Sequence, residues 1–216
     1  MPTVTNVWTD VHHERQALLE LLETLTPEQW DAPSLCAEWR VRDVVGHMVS
    51  ETRMTVAQAA WGVITSGFRI NRYIAKDAQR RGAAPVAKLL EDFRSVLLAR
   101  THLPGLSSLS MLEDIVIHQM DIRRPLHQDR CVPEGRMIPV ASELWTNRFF
   151  PGPKLFQNLQ ATATDAAWSA GDGPDVAGPI EALVLTLAGR FAALDELHGD
   201  GMATLRQRVE GSEREQ

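Results

Sequence analysis

Leu112-Glu113-Asp114-Ile115-Val116-Ile117-His118-Gln119-Met120-Asp121-Ile122 reads as about three turns of helix. With Met111 just before it, Ile115 and Ile122 share one face with Asp114 and His118. The spacing therefore predicts that both polar side chains point into a core. Residues four apart lie one above the other on a helix, so Asp114 and His118 can reach a single point together. An ionised carboxylate buried there without a partner would cost several kcal/mol, and a bound cation or a histidine proton removes that cost.

Some seventy residues upstream lies Trp39-Arg40-Val41-Arg42-Asp43-Val44-Val45-Gly46-His47-Met48. His47 falls about two turns inside a predicted helix, near the positive end of its dipole, which disfavours protonation. A neutral imidazole is what a metal ligand must be. Facing helices carrying His47, Asp114 and His118 would form a three-ligand site with open positions, as catalytic divalent metals use. The same residues also fit a plain reading, a surface Asp–His pair and a packed His47. Glu51 and Glu113 are rival carboxylates. Asp121 can orient an imidazole N–H, or pair with Arg123 or Arg124. His12, His13, His102, His127 and His198 show no ligand spacing and read as surface groups.

Four amphipathic helices surround these motifs. Residues 6–25 carry Val7, Val11, Leu18, Leu22 and Leu25 at helical spacing, and Thr26-Pro27-Glu28 stops that helix and starts a short turn. A second helix is expected from Val41 to about Ser66. A third opens at Pro85 with Leu89, Leu90, Phe93, Val96 and Leu97 on one stripe. Pro104-Gly105 ends the connection, Ser107 or Ser108 caps, and the fourth helix runs to about Ile122, with Pro125 barring extension. Such a set predicts a four-helix bundle over 1–125.

Beyond Pro125 the chain is rich in loops. One helix is expected at about Val140–Arg148, and Leu159, Ala161 and Ala163 alternate with polar residues as in a half-buried strand. Trp168 belongs to that strand or its hairpin partner. Gly171-Asp172-Gly173-Pro174 and Gly178-Pro179 are turn chemistry. A last long helix is expected from Pro179 through Leu197, ended by Gly199-Asp200-Gly201. Residues 126–216 thus read as a small α+β annex, too short for a sheet of its own size.

Composition narrows the function classes. At 216 residues the chain can bury an ordinary core, and 44% hydrophobic with 23% charged residues places it among globular proteins. A formal charge of -6 argues against a nucleic-acid partner, which needs a basic face. No long apolar run suggests a membrane span. Residues 1–6 lack the basic and apolar regions of a secretory signal, so a cytoplasmic location is expected. Cys36 and Cys131, without CxxC spacing, fit a reducing compartment. Cys36 reads as a small packed cysteine rather than a nucleophile. Trp30 and Trp39 read as pinning its loop onto the bundle, and Asp43 as a first-turn charge. A homodimer is compatible with exposed bundle faces, though no seam is defined.

Three motifs carry a resemblance. Ser34-Leu35-Cys36-Ala37-Glu38-Trp39, followed by Val41-Arg42-Asp43-Val44-Val45-Gly46-His47, resembles the entry motif of the mycothiol-dependent maleylpyruvate isomerase family, in the DinB-like superfamily. His118-Gln119-Met120-Asp121-Ile122-Arg123-Arg124-Pro125-Leu126 resembles that family's H-x-x-D-[IL]-x-R-P-L segment. Ala163-Thr164-Asp165-Ala166-Ala167-Trp168-Ser169-Ala170-Gly171 and residues 189–201 are similar to its short actinobacterial members.

The resemblance implies a mainly α, DinB-like four-helix bundle with a small C-terminal α+β extension packed on it. It also implies a divalent metal, usually zinc, at His47, Asp114 and His118, with mycothiol as a low-molecular-weight thiol cosubstrate. Arg40 departs from the usual helix-capping Thr, and Met120 and His127 replace commoner small residues. Fuller members carry a larger C-terminal domain with an arginine needed for activity, for which Arg190 is the nearest candidate. Arg123 and Arg124 are candidates for holding the cofactor or an acidic substrate by charge-assisted bonds. Such arginines also serve simply to complement a helix dipole.

The expected function is thiol-assisted isomerisation or S-transfer on a small electrophilic or acidic molecule. Two alternatives stand beside it. One is a non-catalytic metal-binding or regulatory bundle, with Glu51 as a fourth ligand or with the polar triad reduced to a hydrogen-bonded cluster. The other is a hydrolase activating water at the same site.

Overall fold

The computed structural model describes residues 6–65, 70–102, 106–128 and 130–214. The expected helix end at Ser66, the Pro104-Gly105 connection, residues 1–5 and the side chain of Val63 lie outside the described residues. The chain divides into two compact units, Met1–Arg130 and Cys131–Gln216. Arg130, the last residue of the first unit, bonds Glu14 and Gln119 within it.

The first unit comprises α1 (Val7–Leu22), α2 (Pro27–Trp30), α3 (Val41–Arg53), α4 (Val56–Thr65), α5 (Ile70–Gly82), α6 (Val86–Val96) and α7 (Ser108–Arg123). Four of them close a ring, α1 on α7, α7 on α3, α3 on α6 and α6 on α1. Val11, Leu18, Val44, Val45, Leu89, Phe93, Met111, Ile115 and Ile122 fill its interior. From Met111 to Ile122 every residue of α7 except Asp114 is buried. That helix therefore runs through the core rather than lying on it.

Two differences from expectation arise in this unit. The second helix breaks after Arg53, because Thr55 and Gln58 form a capping box: Thr55 N–H donates to Gln58 Oε1 and Gln58 N–H to Thr55 Oγ1. Helix α5 carries no long apolar stripe and was not expected. It docks on α3 through glycines instead. A Cβ on Gly46 would lie 2.9 Å from Gly82 N, and a Cβ on Gly82 would overlap Asp43. The close approach of the two backbones is what glycine permits, and it fixes α3 one residue before His47.

The second unit holds α8 (Glu134–Thr146), α9 (Gly152–Leu155), β1 (Gln160–Ala163), β2 (Ser169–Gly171), β3 (Asp175–Gly178), α10 (Ile180–Leu187), a 3-10 helix (Phe191–Glu196) and α11 (Met202–Arg214). The strands form a three-stranded sheet of order β2-β1-β3, in which β1 pairs antiparallel with β2 and parallel with β3. The annex thus has a small sheet of its own. Trp168 lies just before β2, its carbonyl accepting from Ala163 N–H at 2.9 Å.

Three boundaries differ from the sequence reading. Helix α8 starts six residues earlier than expected and runs through Pro139. The expected long helix after Pro179 stops at Leu187, because Gly189 adopts φ +80° and closes a Schellman motif. In it Gly189 N–H donates to Thr186 O and Arg190 N–H to Leu185 O. Gly199-Asp200-Gly201 does not end the chain's helical structure but precedes α11.

Candidate metal centre

The site lies where α3 meets α7. His47 Nε2 is 3.7 Å and His118 Nε2 3.2 Å from Asp114 Oδ1. The two imidazoles meet edge to face with centroids 5.0 Å apart. All three donor atoms lie within 4.8 Å of one another. Bonds of about 2.0–2.2 Å at tetrahedral angles put ligand atoms about 3.3–3.6 Å apart. The two distances to Asp114 Oδ1 bracket that span, so these residues could hold a divalent cation of zinc's size. The side chains of His47 and Asp114 remain 16% and 19% exposed, against 9% for His118, so the cluster opens to solvent on the His47–Asp114 side.

Each donor has a reason to be where it is. Asp114 and His118 are one turn apart on α7, and α3 is pressed into register through Gly46. The other ring nitrogen of His118 is spoken for: Nδ1 lies 2.9 Å from Asp121 Oδ2, and Asp121 is fully buried. An ionised carboxylate only accepts, so Nδ1 carries a proton, and a metal that displaced the proton from Nε2 would find its lone pair there. Trp39 covers the pair from the loop before α3, its ring centroid 5.1 Å from that of His47 and 6.1 Å from that of His118. Trp30 is buried and pins the chain as expected, whereas Trp39 faces the imidazoles.

The electrostatics are those of a carboxylate seeking a cation. Burial pushes Asp114 up, yet His118 and His47 outweigh it and hold its carboxyl well below the usual carboxylate range. Burial pushes His118 down, and the charge of Asp114 more than compensates, placing its imidazole well above the usual range. Glu51 is pushed well above its ordinary value, first by burial and then by the neighbouring charge of Asp114. Glu51 and Glu113, the rival carboxylates, lie outside the converging set among the described residues.

The arginines singled out from the sequence each have a partner within their own unit. Arg123 is half-buried and donates to Ala17 O of α1 at 2.8 Å. Arg124 is the C-cap of α7. Arg190 belongs to the second unit and donates to Ala188 O at 2.7 Å. What the sequence reading missed is Cys36: its Sγ lies 3.0 Å from Asp121 Oδ2 and 3.7 Å from His118 Nδ1. At the start of α3, Asp43 accepts from both the backbone N–H and the guanidinium of Arg40.

Residues 11–104 match the family model described as the mycothiol maleylpyruvate isomerase N-terminal domain. Over that stretch the chain is similar to the domain the model describes. The matched stretch contains His47 and the Cys36 loop and ends before α7. No curated protein matches the chain. Among solved structures it is similar to a mycothiol-dependent maleylpyruvate isomerase, at TM-score 0.61 and 15% identity, over 90% of this chain and 91% of that one. A histidine-to-alanine mutant of a mycothiol-dependent maleylpyruvate isomerase matches at TM-score 0.58 and 11% identity over the same shares. At such identities the likeness establishes the fold alone. No helix of the described residues is long and apolar enough to cross a membrane.

Proposed function

We propose that this chain is a divalent-metal enzyme that uses a low-molecular-weight thiol, mycothiol, to isomerise or S-transfer onto a small electrophilic or acidic molecule. The observation that carries the reading is the convergence of His47 Nε2, Asp114 Oδ1 and His118 Nε2 on one partly open point. Zinc is the cation best matched to two imidazoles and one carboxylate at these spacings. When bound, it supplies the positive charge that favours thiolate over thiol at neutral pH. The protein's own residues do the rest. Asp121 holds the Nδ1 proton of His118, Asp114 contributes the anionic donor, and Trp39 screens the imidazoles from water on one side.

A thiolate adding to an electrophilic double bond turns it into a rotatable single bond. Its departure after rotation returns the isomer and the thiol, whereas protonation of the adduct leaves an S-conjugate. The residual exposure at His47 and Asp114 favours this reading over a closed structural site. The two structural relatives are named for maleylpyruvate and mycothiol. For this chain the proposal extends to the thiol and the substrate class.

Elemental analysis of the purified protein, with His47→Ala and His118→Ala beside it, tests the centre. One zinc per chain is expected in the wild type and none in either variant; unchanged metal in both variants would sink the ligand set. Turnover of α,β-unsaturated diacids is expected with mycothiol and not with glutathione or without thiol. Equal rates in all three arms would defeat the thiol assignment.

A further inference from the structure

The loop 31–39 is tied to α7 at one residue by two bonds. Leu35 N–H donates to the backbone carbonyl of Asp121 at 3.0 Å, and the Cys36 thiol donates to its carboxylate Oδ2 at 3.0 Å. That same Oδ2 accepts from His118 Nδ1. Behind the thiol the loop is closed on itself. Ser34 N–H and Oγ both donate to Trp39 O, Ser34 Oγ accepts from Cys36 N–H, and Trp39 N–H donates to Cys36 O. Trp39, at the loop's end, packs on both imidazoles. The motif Ser34-Leu35-Cys36-Ala37-Glu38-Trp39 is therefore one closed turn whose anchor is a carboxylate hydrogen-bonded to a candidate ligand.

We infer that Cys36 is a positioning residue, a latch that fixes both the proton on His118 Nδ1 and the Trp39 cover through the single carboxylate of Asp121. The inference rests on the metal-centre reading proposed above. Its physical basis is competition for Nδ1. The thiol lies 3.7 Å from that nitrogen. If it turned its proton there, Nδ1 would have to accept, and the 2.9 Å bond from Nδ1 to Asp121 that orients the ring would be lost. Directing the S–H to Asp121 removes that alternative. It also gives a fully buried carboxylate a second donor, which lowers the cost of keeping it ionised. Serine keeps a donor at this position, and alanine does not. Groups supporting a metal ligand through a hydrogen bond typically change affinity 10- to 100-fold when removed, and Cys36 acts one bond further out.

The latch is tested without metal by the S–H stretching band, assigned with Cys36→Ser and Cys131→Ser. The Cys36 band is expected at lower frequency than that of Cys131, and to return towards the free-thiol position in Asp121→Asn. Zinc affinity by chelator competition is then expected to fall about three- to tenfold in Cys36→Ala and about 10- to 100-fold in Asp121→Asn. Cys36→Ser should stay within about twofold of wild type. A Cys36 band at the free-thiol position overturns the inference, as does a Cys36→Ala protein that binds zinc within twofold of wild type. If the wild type binds no zinc, the metal-centre reading fails instead, and the S–H band alone decides whether the latch exists.

Discussion

The first unit buries carboxylates in two ways. Glu14 is fully buried and meets the guanidinium of Arg130 and the amide of Gln119; Asp77 receives Ser50 Oγ, Arg80 and Arg81. Each brings a permanent cation from its own chain. Asp114, by contrast, meets two imidazoles and a second carboxyl, that of Glu51, and Arg15 acts on it only through its charge. Arginine cannot give up its proton, so the first kind of cluster is a brace. Imidazole can trade a proton for a metal ion, so the second kind can serve as a site. Gln119 and His118 are neighbours on α7, and the two arrangements lie on different sides of one helix.

The comparison breaks first at the metal. Asp114→Asn removes the only anionic donor of the triad, and zinc affinity is expected to fall by more than about 100-fold, beyond the range of outer-shell changes. Chelator competition measures it, with far-UV circular dichroism unchanged. An Asp114→Asn protein that still binds zinc like wild type would place Asp114 among the braces.

Arg130→Ala should do the opposite. It removes the guanidinium bonded to Glu14, and breaking a buried pair costs about 3–5 kcal/mol, read from urea unfolding, while zinc content per folded chain stays the same. A loss below about 1 kcal/mol would mean that the other partners of Glu14, Gln119 and the charge of Arg123 among them, suffice.

Asp77 offers a pH test. Burial pushes its carboxyl up, but Ser50, Arg81 and Arg80 outweigh that and lower it from 3.8 to about 2. A carboxyl lowered on folding adds stability that is fully present above 3.8 and is lost as pH falls towards 2. That interval corresponds to about 2 kcal/mol. Asp77→Asn should therefore flatten the stability profile between about pH 4 and pH 2, seen by denaturant melts at each pH. A variant whose acid limb superimposes on wild type would remove Asp77 from the braces.

The smallest effect is expected at the surface. Arg94 and Glu23 form an ion pair at 2.6 Å with side chains 51% and 41% exposed. Arg94→Ala should cost less than about 1 kcal/mol, also by urea unfolding. A larger loss would show that burial is not what separates brace from surface pair.

The two candidate ligands on α7 were legible because a helix repeats by about 3.6 residues, so spacing alone stacks Asp114 on His118. The capping box of Thr55 and Gln58 and the glycine closing α10 were equally written in the chain. The apolar spacing on either side runs on without interruption and masks them. Helix α5 was harder. Its docking uses Gly46, Gly82 and the Ser50–Asp77 bond, and small or polar contacts leave no apolar period to read.

The sequence alone determined that four amphipathic helices would pair and that Asp114 and His118 would share a face, because both follow from local periodicity. The tertiary structure decided that His47 reaches them, that Glu51 and Glu113 stay outside the donor set, and that Cys36 meets Asp121. Those contacts join residues up to 85 positions apart, and no local spacing encodes which turn of one helix faces which turn of another. That register is set by packing, here by the approach of Gly46 to Gly82 and by a core that closes around α7.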